Sequence, residues 1–159
     1  MTPRKSAAKV HVLEKEAFIE RPLAEVFEFF SRAENLELLT PTSLSFKILT
    51  PTPIEMKPGA LIDYRLNLFG LPFRWKTLIQ AWEPPHRFID SQLTGPYLSW
   101  VHEHTFQEVL GGTRMRDRVE YQVPGGPFEP LVHRLFVGPQ VRQIFEFRTA
   151  TILRLMGQP

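Results

Sequence analysis

The 159-residue sequence predicts one α+β domain, in which a meander of antiparallel strands is closed by a long C-terminal helix. Segments with the two-residue alternation of strands fill the middle of the chain, and short turns rich in proline and glycine separate them. Helical spacing of apolar residues appears near the start of the chain and again at its end. Short turns between successive strands favour an antiparallel sheet, because parallel strands need long crossover connections.

The composition indicates a globular chain with a large apolar interior. Hydrophobic residues make up 43% of the chain, and 13 Phe against 3 Tyr leave most of the aromatic surface without a polar group. The net charge is +2 and no basic stripe indicates a nucleic-acid partner. There is no cysteine, which excludes disulfide scaffolds and thiolate chemistry. We find no secretory signal and no apolar run of the roughly 18 residues that span a membrane, so we expect a soluble cytoplasmic protein.

The first predicted elements are a strand and two short helices. Residues 1–9 are expected to form a loose tail, and residues 10–20 alternate as a strand. Pro22 suits the first turn of a helix, and apolar residues then follow at helical spacing. These residues are Leu23, Val26, Phe27 and Phe30. A second helical turn, residues 34–39, ends before Thr40-Pro41, because a residue that precedes proline resists the helical conformation.

Six further strands are predicted before the C-terminal helix. They are residues 45–50, 60–69, 73–82, 87–93, 98–109 and 113–123. Glycines at Gly95-Pro96 and Gly111-Gly112 mark hairpin turns, since glycine supplies the positive φ that tight turns need. The helix that follows is expected to break at Gly138-Pro139 into a short leading piece and a longer piece, because proline lacks a backbone N–H. Residues 10–157 therefore form one domain in this prediction.

Motifs along nearly the whole chain beyond residue 9 resemble one protein family. They are residues 22–30, 60–66, 82–90, Gly95-Pro96 before 100–106, 112–118, and 135–137 leading to 144–148. These segments are similar to bacterial ligand-binding members of the START-like superfamily, also called the polyketide cyclase/dehydrase and lipid-transport superfamily. The resemblance implies a helix-grip fold, as in birch-pollen-allergen-like proteins, with a curved sheet of about seven strands around the last helix and an internal cavity for an apolar ligand. Members of the family include carriers, hydroxylase subunits and aromatase/cyclases, so the resemblance is specific for the fold.

The strand at residues 98–109 carries the first candidates for chemistry. Strand alternation puts Trp100, His102 and His104 on one face. The arginine-rich face of the next strand must be solvated, which turns Asp117 toward the same concave face as the histidines. Polar groups among aromatic residues are typical of a ligand site. A buried histidine that is simply hydrogen-bonded to a carboxylate explains the same pattern equally well.

Further candidates come from two neighbouring strands and from the last helix. Tyr64 and Trp75 each offer a hydrogen bond from an apolar wall, although each one alone fits an ordinary core. With the resemblance, the predicted ligand-binding set is Tyr64, Leu66, Trp75, Trp100, His102, His104, Asp117, Val132, Phe136 and Phe145. The resemblance also implies that these residues surround a cavity on the order of a few hundred Å³.

The orientation of Asp90 and Gln92 is left open by the sequence, because a one-residue slip at the Gly95-Pro96 turn reverses their face. An inward Asp90 lies beside the histidines and orients one of them, whereas an outward Asp90 faces solvent. His102 and His104, together with Asp117, could also supply ligands for a metal. Without cysteine or a further histidine nearby in sequence, we expect no bound metal and no cofactor.

Three functions compete at this point. The first is non-enzymatic binding or carriage of a small hydrophobic molecule, such as a lipid, a quinone or a polyketide-like compound. The second is a cyclase/dehydrase-type enzyme, in which His102 or His104 acts as general acid or base beside Asp117 or Asp90. The third is a protein-interaction module whose pocket is filled by side chains. An occupied closed pocket favours the first, a histidine–carboxylate pair facing an open cavity favours the second, and a solid core favours the third.

Overall fold

A computed structural model describes residues 8–157. The strands are β1 (His11–Ile19), β2 (Lys47–Ile48), β3 (Leu61–Leu68), β4 (Leu71–Glu83), β5 (Arg87–Thr94), β6 (Ser99–Val109) and β7 (Gly112–Gln122). The α-helices are α1 (Leu23–Ser31), α2 (Glu129–Val132) and α3 (Gly138–Met156), and a π-helical segment, His133–Val137, joins the last two. Short 3-10 turns lie at Ala33–Leu36, Thr42–Leu44 and Gly126–Phe128. Within residues 8–157, none of the helices combines the length and the hydropathy of a membrane-spanning segment.

The strands form a single curved antiparallel sheet in the order β1-β7-β6-β5-β4-β3-β2. From β2 to β7 each strand pairs with its neighbour in sequence, which confirms the predicted meander. The first strand closes the sheet by pairing along its whole length with β7, from His11 opposite Tyr121 to Ile19 opposite Thr113. This topology and the long C-terminal helix confirm the predicted helix-grip fold.

Helices α1 and α3 pack on the concave face of the sheet through their apolar stripes. Val26, Phe27 and Phe30 of α1 are buried with Phe106 of β6 and Ile152 of α3 in one cluster. Further toward the start of α3, other apolar residues pack against β7. These residues are Val137, Val141 and Phe145, against Val119 and Tyr121. The two clusters fix both ends of α3 against the sheet.

Two element boundaries differ from the prediction for local reasons. Phe69 and Gly70 both adopt positive φ, 53° and 76°, which forms a tight two-residue turn. Strand β4 therefore begins at Leu71, two residues before the predicted start. The second strand is shorter than predicted, because Ser45 takes a left-handed conformation and ends the preceding 3-10 turn.

Residues 1–7 of the predicted tail lie outside the described residues. The carbonyl of Ala8 accepts a hydrogen bond from Gln122 Nε2 at 2.6 Å.

The C-terminal helix changes type at the predicted dipeptide. Helix α2 leads into the π-helical segment, and α3 begins at Gly138 with Pro139 in its first turn, where a missing N–H is tolerated. The predicted break at this dipeptide is wrong, because Val137 and Gly138 both have right-handed helical φ and ψ and the helix continues through them with only a change of type. Side chains hold the leading piece to the sheet. His11 Nε2 lies 2.5 Å from Glu129 Oε1, and Tyr121 Oη lies 2.8 Å from His133 Nε2.

The β6–β7 hairpin turn lies close to the backbone at the end of β1, and two glycines of the turn allow this close approach to be tested. A Cβ on Gly112 would overlap the carbonyl oxygen of Ile19 and lie 3.1 Å from Glu20 Cα, both backbone atoms of the neighbouring chain segment. We therefore expect Gly112→Ala to lower the free energy of unfolding by about 3 kcal/mol, the upper range for overpacking. At Gly111, with φ of 85°, a Cβ meets only Phe18 Cζ at 3.7 Å. Gly111→Ala should therefore lower the free energy of unfolding by only about 1–2 kcal/mol, the cost of a left-handed conformation for a residue with a Cβ. Chemical unfolding of both variants would measure the difference. Equal losses at the two positions would contradict the close approach.

Candidate functional site

A cavity of about 160 Å³ lies between the concave face of the sheet and α3. Its walls come from β3, β4, β5 and β6, from the end of α1 and the turns after it, and from α3. The volume is smaller than the few hundred Å³ expected from the sequence. It is still several times the roughly 30 Å³ that one water molecule occupies in the liquid. The interior is therefore a cavity that can hold an organic molecule, and not a set of water-sized voids.

Most of the predicted ligand-binding residues line this cavity. They are Tyr64, Leu66, Trp75, Trp100, His102, His104 and Phe145. The strand alternation places all the strand residues among them on the concave face. Other lining residues were missed by the sequence analysis because they lie in turns or on α1. They include Phe29, Leu36, Leu39, Phe46 and Tyr97.

Three predicted residues do not line the cavity. Asp117 lies behind the histidines, 3% exposed. Val132 packs against the cluster that contains Tyr121. Phe136 is 54% exposed and touches Phe69 edge-on. It precedes the buried Val137 by one residue, so it points roughly a quarter of a turn away from the buried stripe of the helix.

The main polar feature of the site is a cluster of two histidines, two aspartates and one arginine. His102 Nε2 lies 2.8 Å from Asp117 Oδ1, and His104 Nε2 lies 2.6 Å from Asp90 Oδ2. His104 Nδ1 is 3.2 Å from Asp117 Oδ1. Arg148 Nε donates to Asp117 Oδ2 at 3.2 Å, and its Nη2 lies 3.3 Å from His104 Nδ1. Asp117 thus joins both imidazoles and the guanidinium.

The structure resolves the orientation of Asp90 and Gln92. Asp90 pairs directly with His102 across β5 and β6, which puts its side chain on the cavity face beside both histidines. Gln92 does not line the cavity. Its side chain instead holds the following turn, since Nε2 donates to the carbonyl of Tyr97 at 2.8 Å and Oε1 accepts from the Tyr97 N–H at 3.2 Å.

Arg148 is the functional candidate that sequence reasoning missed. It is 5% exposed and falls in the buried stripe of α3, three residues after Phe145 and four before Ile152. This spacing is a usable signal, because a charged residue at a core position of a helix requires a buried partner. The guanidinium also lies 5.2 Å from the centre of the Phe30 ring.

The charges in the cluster determine which carboxylic acids stay ionised. Burial raises the pKa of Asp117, but the charge of Arg148 and the two histidines outweigh it and hold the pKa well below its usual range. Burial likewise opposes ionisation of Asp90, and the nearby His102, His104 and Arg148 bring its pKa below the usual value. Both aspartates are therefore carboxylates at neutral pH.

The two histidines differ in their tendency to bind a proton. Burial and the neighbouring His104 hold the pKa of His102 below its usual value, against the pull of Asp117 and Asp90. For His104, burial lowers the pKa, but hydrogen bonds to Asp117 and Asp90 outweigh it and raise the pKa overall. A protonated His104 makes the cluster electrically neutral, with two carboxylates, one guanidinium and one imidazolium. Neutral His102 then donates from Nε2 to Asp117, and its Nδ1 has no hydrogen-bond partner within residues 8–157.

A second polar feature faces the cavity from β3 and β4. Trp75 is 5% exposed, and its Nε1 is buried without a hydrogen-bond partner in the part of the chain that the structure describes. Its ring stacks on Tyr64 at 5.7 Å and meets Trp100 edge-on at 5.4 Å. Thr77 Oγ1 donates to Tyr64 Oη at 3.4 Å, and burial raises the pKa of that phenol far above its usual value. The tyrosine hydroxyl thus stays protonated, and the indole N–H is a donor without an acceptor.

Comparison with known proteins agrees with this architecture. The sequence model of the family described as polyketide cyclase / dehydrase and lipid transport matches residues 19–147. The chain belongs to this family. The match includes the strands that line the cavity and all the residues of the polar cluster except Arg148, which follows one residue after its end. A search of curated proteins found no match.

Several solved structures have the same fold as this family member, although their sequences are only distantly similar to it. Protein Ms6760 from Mycobacterium smegmatis is 19% identical, with 91% of this chain and 89% of that chain covered and a TM-score of 0.65. The major latex-like protein 151 from Panax ginseng is 13% identical, with coverages of 94% and 99% and a TM-score of 0.67. Protein CV1439 from Chromobacterium violaceum is 12% identical, with coverages of 93% and 98% and a TM-score of 0.71. At these identities the likeness establishes the fold alone.

Proposed function

We propose that this protein binds a small, largely apolar molecule with oxygen substituents in its internal cavity. The observation that carries the proposal is a largely apolar cavity of about 160 Å³ whose wall includes a few polar side chains, among them His102 and Asp90. Family membership supports the same function.

The size of the cavity limits the ligand. Engineered apolar cavities of about 150 Å³ bind benzene, so the cavity of about 160 Å³ suits a molecule built on a single ring. Each 100 Å² of apolar surface that the ligand buries contributes about 2.5 kcal/mol. A long-chain lipid or a multi-ring polyketide would require the walls to move apart. Among the lipid, quinone and polyketide-like ligands expected from the sequence, a one-ring quinone therefore fits best, and a one-ring phenol has a similar size.

One group is positioned to orient such a ligand. His102 Nδ1, on β6, can accept from a hydroxyl group because the neutral imidazole leaves that nitrogen unprotonated. The ligand-binding roles of Tyr64, Leu66 and Phe145, like the cytoplasmic location, remain predictions.

A second candidate function is an acid–base enzyme of the cyclase/dehydrase type. One observation favours it, namely that His102, His104 and Asp90 line the cavity while Asp117 fixes both imidazole rings from behind. A neutral histidine oriented by a carboxylate is a suitable general base. The third hypothesis, a module with a filled pocket, fits less well because the cavity is open to a small molecule.

The proposal is tested by native mass spectrometry of the purified protein, followed by titration with one-ring phenols and para-benzoquinones. Leu66→Trp should fill the cavity from β3 and lower affinity for these probes at least about tenfold, or 1.4 kcal/mol. Leu61→Trp is the matched control, because Leu61 is 46% exposed on the opposite face of the same strand and should leave affinity unchanged. Absence of saturable binding by the wild type, or equal affinity in both variants, would refute binding in this cavity.

A further inference from the structure

A group of three potential metal ligands lies on the cavity wall. We propose that Asp90, His102 and His104 form a binding site for a first-row divalent transition metal of the zinc and iron(II) class. This proposal goes beyond ligand binding, and metal alone tests it. It also reverses the expectation from the sequence, in which Asp117 was the third candidate ligand and no metal was expected.

The geometry of the donor atoms carries the first step. Asp90 on β5 lies directly opposite His102 on β6, and His104 follows two residues later on the same face. One carboxylate oxygen and one nitrogen from each ring all lie within 4.8 Å of one another. Asp90 Oδ2 is 2.6 Å from His104 Nε2 and 3.8 Å from His102 Nδ1. Ligands bound to one metal at about 2.0–2.2 Å are about 3–3.5 Å apart, so small side-chain movements would bring all three into contact with it.

The surroundings of the two rings supply an independent observation. Histidines that bind metals almost always use their other ring nitrogen to bind a carboxylate or carbonyl, which orients the ring. Here Asp117 Oδ1 serves both rings, at 2.8 Å from His102 Nε2 and 3.2 Å from His104 Nδ1. Arg148 Nε, 3.2 Å from Asp117 Oδ2, holds that carboxylate in place. The guanidinium contacts Nδ1 of His104 and leaves Nε2, the proposed ligand, facing Asp90.

The donor set selects the class of metal. Two imidazoles and one carboxylate suit zinc, iron(II) and related ions, whereas calcium and magnesium prefer sites built from oxygen alone. Three protein ligands leave coordination positions open. Because all three residues line the cavity, those positions face the space proposed for the organic ligand. A carbonyl or hydroxyl oxygen of that ligand is the chemical group that would complete the coordination.

The experiment uses the full-length protein stripped with a chelator and titrated with Co²⁺, whose visible absorption reports its ligands, with Zn²⁺ as competitor. We expect one Co²⁺ per chain, displaced by Zn²⁺. Asp90→Asn should weaken Co²⁺ binding strongly, and Asp117→Asn should weaken it about 10–100-fold, as for other residues behind metal-binding histidines. His86→Gln is the control, because His86 is exposed and lies outside the cluster.

Three outcomes would overturn the proposal. They are no stoichiometric binding to the folded wild type, unchanged binding in a folded Asp90→Asn protein, and loss of binding in His86→Gln, which indicates an adventitious surface site. Circular dichroism identifies variants that fail to fold. In that case X-ray absorption of the wild-type Co²⁺ complex decides, since two imidazole ligands support the site and fewer than two refute it. No organic ligand is needed, so failure of the proposed ligand binding leaves this test intact.

Discussion

Replacing Arg148 with leucine is expected to lower the free energy of unfolding by about 3–5 kcal/mol, the usual loss when one partner of a buried ion pair is removed. Asp117 is 3% exposed and its Oδ2 accepts from Arg148 Nε at 3.2 Å. Without the guanidinium, this buried carboxylate keeps only the imidazole contacts. Urea or guanidinium chloride unfolding at neutral pH would measure the loss through the shift of the midpoint.

Two comparisons separate the ion pair from general effects on the helix. Arg142→Leu makes the same substitution at an exposed position of α3 and should change stability by less than about 0.5 kcal/mol. Adding Asp117→Asn to Arg148→Leu removes the unpaired charge and should recover part of the loss. If Arg148→Leu were no more destabilising than Arg142→Leu, the buried ion pair would not be an essential part of the fold.

Much of the fold and half of the site follow from simple periodicity. On β6 and β7 the arginines at alternate positions of β7 have to face water, which leaves only one face for Asp117 and, across the hairpin, for His102 and His104. The glycine turn at Gly111 then sets the register between the two strands. Local sequence was sufficient here because the turn of the hairpin is short and the two faces of its strands differ sharply in polarity.

The rest of the site depends on features that local pattern does not encode. Asp90 faces inward because β5 and β6 pair with Asp90 opposite His102, a register that the uncertain length of the turn at Gly95-Pro96 left open. Arg148 takes a core position because residues distant in sequence, Asp117 and His104, neutralise and surround it. Phe136 was misplaced because its orientation depends on the π-helical segment that precedes α3. Each of these requires tertiary contacts that become known only once the sheet is assembled.

Replacing His102 with glutamine distinguishes ligand binding from acid–base catalysis, because only catalysis predicts a large loss of turnover. The experiment uses metal-free protein and the compound recovered by native mass spectrometry. If the site only binds, affinity should stay within about tenfold of the wild type, because one neutral hydrogen bond is worth about 0.5–1.5 kcal/mol. Glutamine is a suitable substitute, since its amide N–H can replace the bond that His102 Nε2 makes to Asp117 Oδ1 at 2.8 Å.

If the site instead performs acid–base chemistry, the same substitution should lower turnover by about 10²–10⁴, the usual contribution of a positioned general base, with little change in binding. Mass spectrometry of the compound after prolonged incubation, with wild type, His102→Gln and the surface variant His86→Gln, distinguishes the two cases. We expect the wild type to return the compound unchanged. A product formed by the wild type and by His86→Gln, but lost in His102→Gln, would contradict simple binding. Neutral His102, held by Asp117 with Nδ1 unpaired, would then be the base.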